Sequence, residues 1–568
     1  MLAENESTKF ELVSGEVSMR VEPHPISGAV YQALGDGLVR VEDKAKGKYG
    51  VFRWDGTWIE GDLTYADPHM LIYIGGPDLP EGRDIPYPLM PPLEQDIPEF
   101  LESPIGAMVT RQAPQDTRII APYVGDPGKD FPEGTRSASY IPLDFFVQNE
   151  RRPDLLPEVY RKVAPPVGGP VEIPVSRYID RKYHDLEVER LWKKTWQMAC
   201  REDDIPEVGD YYLYEVASLQ YLIVRTAPGE IKAHVNACLH RGRQLRECHG
   251  RKAHEFRCPF HGWTWNIDGS LKILTSEWDF PGVREKVSQL PGAKVATWAG
   301  FVFINPDPDA GRFENYAGPE MLAHYAKTKL QNRYKQADVT KVIRANWKTV
   351  QEAFLEGWHS LATHPQLLLS GGDVADVRFD LFGNWARMGH AGAGGSSPHR
   401  GIIQSPEAAL EGYRQSADFN REYLRGLIGD EADLYADMEL AEQTFSNLFP
   451  NFSPWGGWAR IVYRFRPNGD NHEECQMHVM MLAPWPEGKP KPPPHPPRLL
   501  GADDHWTQAP ELGSLAKIFE QDTGNVPQVY RGMKTKQPPS IWLSGYQESV
   551  IRNFHRIYAE RLGLTEGE

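Results

Sequence analysis

Residues 238–261, "CLHRGRQLRECHGRKAHEFRCPFH", carry two compact groups of ligand-type side chains, Cys238-x-His240 and Cys258-x-x-His261, with seventeen residues between them. The chain has only five cysteines (Cys200, Cys238, Cys248, Cys258 and Cys475), and two of them stand with a histidine partner in these two short groups. A zinc finger gathers its cysteines in one half and its histidines in the other. Here each half offers one thiolate and one imidazole, which suits a two-iron, two-sulfur cluster with cysteines on one iron and histidines on the other. Gly242, Pro259 and Gly262 permit tight turns that bring backbone N–H groups towards cluster sulfurs. Such hydrogen bonds, with neutral imidazole ligands, raise a cluster's reduction potential. Cys248 and His249 match neither ligand slot and read as ordinary residues.

A second group lies in "ANWKTVQEAFLEGWHSLATHP", residues 345–365. Read as one helix, it puts Trp347, Val350, Phe354, Trp358 and Leu361 on an apolar stripe and Glu352, Glu356 and His359 on the opposite face. Glu356-x-x-His359 makes a carboxylate and an imidazole helical neighbours. His364 directly precedes Pro365, a position where α-conformation is disfavoured, so the helix should end or distort there and let His364 turn towards His359.

"CLHRG" and "CPFHGWTWNIDGSL" resemble the two cluster-binding loops of the Rieske non-haem iron oxygenases, the α subunits of aromatic ring-hydroxylating oxygenases. The resemblance runs from about residue 175 towards the C-terminus and leaves the first 170 residues outside. It implies a Rieske 2Fe-2S cluster on Cys238, His240, Cys258 and His261. It also implies a mononuclear non-haem Fe(II) on His359 and His364, which match the family pattern Asp-x-x-His-x-x-x-x-His. A facial triad needs one more carboxylate and leaves positions open for oxygen and substrate. The family takes it from a late helix in a stretch like "FEQD", which here offers Asp522, with Glu520 as the fallback. Helical phasing sets Asp522 among Leu515, Phe519, Val526 and Val529, with Gly524 and Pro527 as points where the helix could break. An unpaired carboxylate in such a stripe is costly, and a metal would compensate it. The resemblance makes Glu356 a catalytic carboxylate joining an iron histidine of its own chain to a cluster histidine of a neighbouring subunit. Two residues depart from the pattern: Glu356 stands where many ring dioxygenases have aspartate, and Glu352 where an asparagine is common.

The implied activity is that of a terminal oxygenase that hydroxylates an aromatic or polycyclic small molecule. It would use O2 and electrons from a separate reductase, with or without a ferredoxin. Assembly as a homotrimer or a multiple of it, with a possible small β subunit, belongs to the same implication. Monooxygenation or O- or N-demethylation would use the same ligands. A purely electron-transferring Rieske protein and a zinc-stabilised binding module are the readings from other classes.

Elements must position these groups, and 568 residues with 40% hydrophobic and 11% aromatic content allow two or three cores. The expected fold is α+β. Residues 1–170 form a β- and proline-rich N-terminal extension, 171–310 a small all-β Rieske domain, and 311–568 a helix-grip-like catalytic domain of curved antiparallel sheet with helices. In the extension, "GVFRWDGTWIEGDL" reads as a hairpin turning at Asp55-Gly56, before proline-rich runs at 77–98 and 163–174. The extension carries no catalytic motif and reads as a packing or assembly arm. A glycine-rich loop at 389–401 fits no phosphate-binding pattern and reads as a mobile loop or lid. Pocket residues are expected within 360–460, including "NLFPNFSPWGGW". The net charge of −16 argues against a nucleic-acid partner. Sparse cysteines, with neither a membrane span nor a secretory signal in the sequence, point to the cytoplasm.

Overall fold

A computed structural model describes residues 20–565, except 26, 78–139, 165, 167, 371–372, 374–376, 391–403, 457–459 and 486–487. Most of the 77–98 run and most of the 389–401 loop therefore lie outside the described residues.

Residues 20–77 build a five-stranded antiparallel sheet in sequence order: Val21–Pro23, Val30–Gly35, Leu38–Asp43, Lys48–Arg53 and Trp58–Gly61. The expected hairpin is its last strand pair, with Gly56 at φ +92° in the turn. Alternation buries Tyr31, Val39, Val41 and Phe52 on one face, and the helix Pro68–Gly75 closes that face with Met70, Leu71 and Ile74. Asp67 caps this helix, its carboxylate accepting from the N–H groups of His69 and Met70 at 2.8 and 3.1 Å.

From Gln197 to Asn305 the chain is mainly β, as its strand composition and turn punctuation predict, while the helices Ser176–Ile179 and Arg181–Glu187 precede it within the stretch expected to be all-β. Six strands pair in the order Gln197–Arg201, Phe301–Asn305, Gly292–Trp298, Glu230–Val235, Leu219–Ala227 and Tyr211–Val216. A three-stranded sheet, Glu255–Arg257, Thr264–Asn266 and Leu271–Ile273, stands on top. Cys238 and Cys258 sit in the core shared by these sheets, beside Phe256, Trp263 and Trp265.

The catalytic half is an eight-stranded sheet in which Tyr334–Ile343, Ile461–Asn468 and Asn471–Ala483 are the long strands. All its pairings are antiparallel except that of Tyr334–Ile343 with Arg498–Leu500. Residues 140–161 pack into this half: Phe146 meets Tyr413 of the helix Pro406–Ile428, and Tyr160 stacks on His324. One apolar core runs from Tyr214, Ile223 and Val302 of the cluster region to Val339, Trp347 and Phe465 of the catalytic half. No helix among the described residues is long and apolar enough to cross a membrane.

The 345–365 stretch does not form one helix. It makes a first helix Trp347–Glu352, a non-helical stretch, and a single turn Ser360–Thr363. Trp358 of the supposed stripe is 46% exposed as a result. The break has a local cause in Glu356, whose carboxylate takes the His359 N–H at 3.0 Å in place of a helical carbonyl. The late helix, in contrast, runs unbroken from Leu515 to Met533 through Gly524 and Pro527. Its buried side turns to Tyr530, so Val529 is half exposed.

The first of these helices is anchored by a fully buried ion pair, Lys348 with Glu187. The same carboxylate accepts from Trp347 Nε1 and from Tyr558 Oη of the C-terminal helix Ser549–Leu562, both at 2.8 Å. Losing one partner of a buried pair strands the other charge. Lys348→Met is therefore expected to cost about 3–5 kcal/mol. Arg344→Met, which breaks an exposed pair with Asp503 that solvent screens, should cost far less. Chemical denaturation of the two variants side by side checks the difference.

Candidate metal centres

The two cluster loops are the same fold made twice. In the first, the Cys238 N–H donates to the Arg243 carbonyl at 2.8 Å and the Gly242 N–H returns to the Cys238 carbonyl at 2.9 Å. In the second, Cys258 N–H donates to Trp263 at 2.8 Å and Gly262 N–H to Cys258 at 3.0 Å. Gly242 and Gly262 take φ of +79° and +81°, a conformation glycine adopts without penalty. Each turn buries its cysteine and leaves its histidine nearer the surface.

The four side chains converge. His240 Nδ1 and His261 Nδ1 face each other at 3.1 Å, and Trp263 stacks on the His240 ring with 4.8 Å between centroids. Two imidazole nitrogens aimed at one point fit a shared metal better than a shared proton. Burial and the adjacent Cys258 thiol push the Cys238 thiol up, a cost that a coordinated cation removes. Desolvation and the neighbouring His261 lower the His240 pKa, favouring the neutral imidazole that ligation requires. Cys248 is exposed, and His249 accepts the Leu213 N–H and stacks on Tyr212, so neither joins the set.

The second centre draws on two elements. His359 opens the short turn Ser360–Thr363 and His364 ends it, at φ −129° and ψ 54°, the non-helical backbone expected before proline. Asp522 reaches in from the late helix. His364 Nε2 lies 2.8 Å and His359 Nε2 3.5 Å from Asp522 Oδ1, so both imidazoles and the carboxylate meet. Among the described residues these three form the one grouping of at least three such side chains whose ligand atoms all lie within 4.8 Å of one another. Burial opposes charge on Asp522, but His364 and His359 hold its carboxyl well below the usual range. Burial likewise opposes protonation of His359, yet Glu356 and then Asp522 raise its pKa to about 10. The site is thus built around concentrated negative charge and two nitrogen donors, the donor set of a facial triad, and Fe(II) fits it.

The remaining nitrogens are also taken. Glu356 Oε1 holds His359 Nδ1 at 2.5 Å, and Gln521 Oε1 holds His364 Nδ1 at 2.9 Å. Glu520, the fallback ligand, is engaged elsewhere, accepting from the Trp506 N–H and lying 3.4 Å from His505 Nδ1. Glu352 accepts from Tyr178 Oη and His555 Nε2 and is no part of the triad. Sequence reading missed Gln521, Gln366, Asn525 and His69 around His364, because an amide beside a ligand carries no pattern of its own. At the helix break, Phe354 and Leu355 line a small cleft with Met388, Phe445, Asn447 and Val550. Three of these fall in the 360–460 stretch expected to supply the pocket.

Residues 195–279 match the family model of the Rieske [2Fe-2S] domain, and residues 320–564 that of the ring hydroxylating alpha subunit catalytic domain. Together these take in more than half of the chain. The chain is 25% identical over 380 residues to biphenyl 2,3-dioxygenase subunit alpha of Rhodococcus jostii, 64% of this chain and 78% of the relative. It is 26% identical over 289 residues to the carnitine monooxygenase oxygenase subunit of Escherichia coli, 49% of this chain and 75% of the relative. Its fold is similar to that of a naphthalene 1,2-dioxygenase variant bound to phenanthrene, with TM-score 0.51, 18% identity and coverage of 70% of this chain and 93% of the other. A quaternary ammonium Rieske monooxygenase superposes with TM-score 0.50, 19% identity and coverage of 74% and 99%.

The ligand sets are separate, so they should fail separately. Alanine at His359, His364 or Asp522 is expected to remove one iron per chain and leave the red-brown cluster absorbance unchanged. Glu520→Ala should keep all the iron. Iron and sulfide analysis beside the visible spectrum reads both; full iron in Asp522→Ala would place the carboxylate ligand elsewhere.

Proposed function

Since this chain belongs to the Rieske non-haem iron oxygenase family, we propose that it is a terminal oxygenase that hydroxylates an aromatic or polycyclic substrate with O2 and electrons from a reductase, directly or through a ferredoxin. Cys238, His240, Cys258 and His261 hold the Rieske cluster, and His359, His364 and Asp522 hold the mononuclear iron. The observation that carries this is the meeting of His359 Nε2, His364 Nε2 and Asp522 Oδ1, with no fourth carboxylate or histidine in the group among the described residues, a donor set that would leave positions on a bound metal for substrate and oxygen. When bound, the cluster supplies electrons one at a time and the ferrous ion supplies the site where O2 is reduced.

The chain's own residues orient and shield. Glu356 accepts a hydrogen bond from His359 Nδ1–H and turns its Nε2 inward, and Gln521 Oε1 accepts from His364 Nδ1–H with the same effect. Phe354, Leu355, Met388, Phe445 and Val550 give the cleft at the helix break apolar walls, the kind of lining a flat hydrocarbon needs. Asn447 on the same wall accepts from Gln351 Nε2 and from Ser453 Oγ, each at 3.0 Å.

A second reading, monooxygenation or demethylation of a quaternary ammonium compound, is favoured by the rings around Phe354. Tyr463 and Phe465 stand 5.0 and 5.4 Å from it, and Trp455 lies 3.9 Å from Phe445. Aromatic faces attract such cations, and curated relatives include oxygenase subunits of carnitine and glycine betaine monooxygenases. Turnover with a surrogate reductase on biphenyl-type and on carnitine-type compounds, products identified by mass spectrometry, separates the two. Oxygen consumption coupled to neither, and to no other substrate in a broad panel, would count against the oxygenase reading.

Glu356 serves a second task in this proposal. It accepts from His359 of its own chain and from His261 of the partner subunit in a homotrimer, linking cluster to iron across the interface. Its carboxylate suits this, since two oxygens can accept two imidazole protons at once. Glu356→Ala should keep both iron centres, three irons and two acid-labile sulfides per chain, yet lower product formation about 10–100-fold. Co-expressed Cys238→Ala and Asp522→Ala chains should regain, in mixed oligomers, activity that neither parent shows. Mixed oligomers as inactive as both parents would mean that electrons stay within one chain.

A further inference from the structure

The N-terminal sheet and helix, residues 20–77, lie outside both matched stretches, 195–279 and 320–564, yet they reach the iron site. The helix Pro68–Gly75 packs on the late helix that bears Asp522. Gly524 makes room for it, since a Cβ there would lie 3.2 Å from Ile72 Cδ1. Trp54 of the sheet meets the ring of His505 edge-on at 5.8 Å. Two hydrogen-bonded contacts then lead inward. The Gln521 amide NH2 donates to the His69 backbone carbonyl at 2.9 Å. Asn525 Nδ2 lies 3.0 Å from His69 Nε2 and 3.0 Å from Thr363 Oγ1, beside His364.

We propose that this unit selects the tautomer of His364, using the His69 carbonyl to fix the amide of Gln521. This rests on His364 being an iron ligand. Gln521 can help that ligand only if its Oε1 faces His364 Nδ1, because the proton then sits on Nδ1 and Nε2 keeps its lone pair for the metal. A flipped amide would present NH2 to Nδ1 and favour the Nε2–H tautomer, which cannot ligate. The pairing of Gln521 with Gln366 does not decide between the two. It is amide against amide, at 2.6 and 3.2 Å, and both partners could flip together. The His69 carbonyl breaks the tie, since it can only accept. Its position is set by the first turn of the helix, which Asp67 caps and to which Tyr31 is tied by accepting the Asp67 N–H at 2.8 Å. His69 and Gln521 are thus positioning residues; neither supplies a metal ligand.

The test measures Fe(II) affinity of the full-length, cluster-loaded protein by chelator competition, and the EPR spectrum of its nitric oxide adduct, which reports ligand orientation at the mononuclear iron. Gln521→Leu is expected to weaken Fe(II) binding 10–100-fold and alter that spectrum. Gln521→Glu, which can only accept from Nδ1, should stay within a few-fold of wild type. Asp67→Ala, which leaves every group around the iron in place, should weaken binding several-fold with unchanged cluster absorbance. Should Asp67→Ala fail to fold, Tyr31→Phe carries the same expectation. Wild-type affinity and spectrum in the folded one of these two variants would overturn the proposal, as would Gln521→Glu binding as weakly as Gln521→Leu. His364→Ala tests the ligand assignment separately. Iron retained there overturns that assignment and the proposal together; iron lost there, with the N-terminal variants at wild-type values, overturns the proposal alone.

Discussion

A carboxylate and two imidazoles brought together in a protein interior make an unstable arrangement unless a cation joins them, because an uncompensated buried charge costs several kcal/mol. Asp522, His359 and His364 are in that position, with His364 and Asp522 nearly inaccessible to water. Much of the catalytic half can be read as the means of holding them there. The helix after Asn346 has to stop early so that His359 and His364 can share a turn. The late helix has to pass Gly524 and Pro527 without breaking, so that Asp522 stays in reach. A buried ion pair pins the first of these elements, and the short helix Pro68–Gly75 from the other end of the chain packs on the second.

The cluster loops answer a different demand. Their turns are closed by two backbone hydrogen bonds each and by glycines in the left-handed region, so the turn geometry is set locally, while the two sheets bury the cysteines. Their histidines stay near the surface with their Nδ1 atoms paired inward, and Phe260 beside His261 is 56% exposed. A near-surface cluster suits a centre that receives electrons from outside, and a buried iron site one that must keep water out. Glu356 is placed at the iron site with one oxygen on His359 Nδ1.

What the sequence made legible was chemistry with fixed spacing. Cys238, His240, Cys258 and His261 are close along the chain, and the two turns that carry them announce themselves through glycine and proline. His364 before Pro365 was readable for the same local reason. The helix break at 353–359 was not, because its cause is one side chain, Glu356, replacing a backbone acceptor, and periodicity sees only apolar positions. Val529 was misplaced on the late helix because the buried side is chosen by the tertiary partners of Val526 and Tyr530. Asp522 was found through its resemblance to a family motif, and its meeting with two histidines more than 150 residues earlier in the chain is a fact of the folded state.

The N-terminal unit carries no catalytic motif, yet it packs on the helix that bears Asp522. Its hairpin was legible from Asp55-Gly56, but the group it brings to the iron site is the backbone carbonyl of His69, which any residue would supply. A carbonyl has no sequence signature, yet it is the one partner of Gln521 whose direction cannot be reversed. Where metal affinity depends on which nitrogen of an imidazole bears the proton, a backbone acceptor on a well-capped helix is a more dependable arbiter than a side-chain amide that can turn over. The position of Asp67 two residues earlier follows from this, since the carbonyl is only as fixed as the turn that presents it.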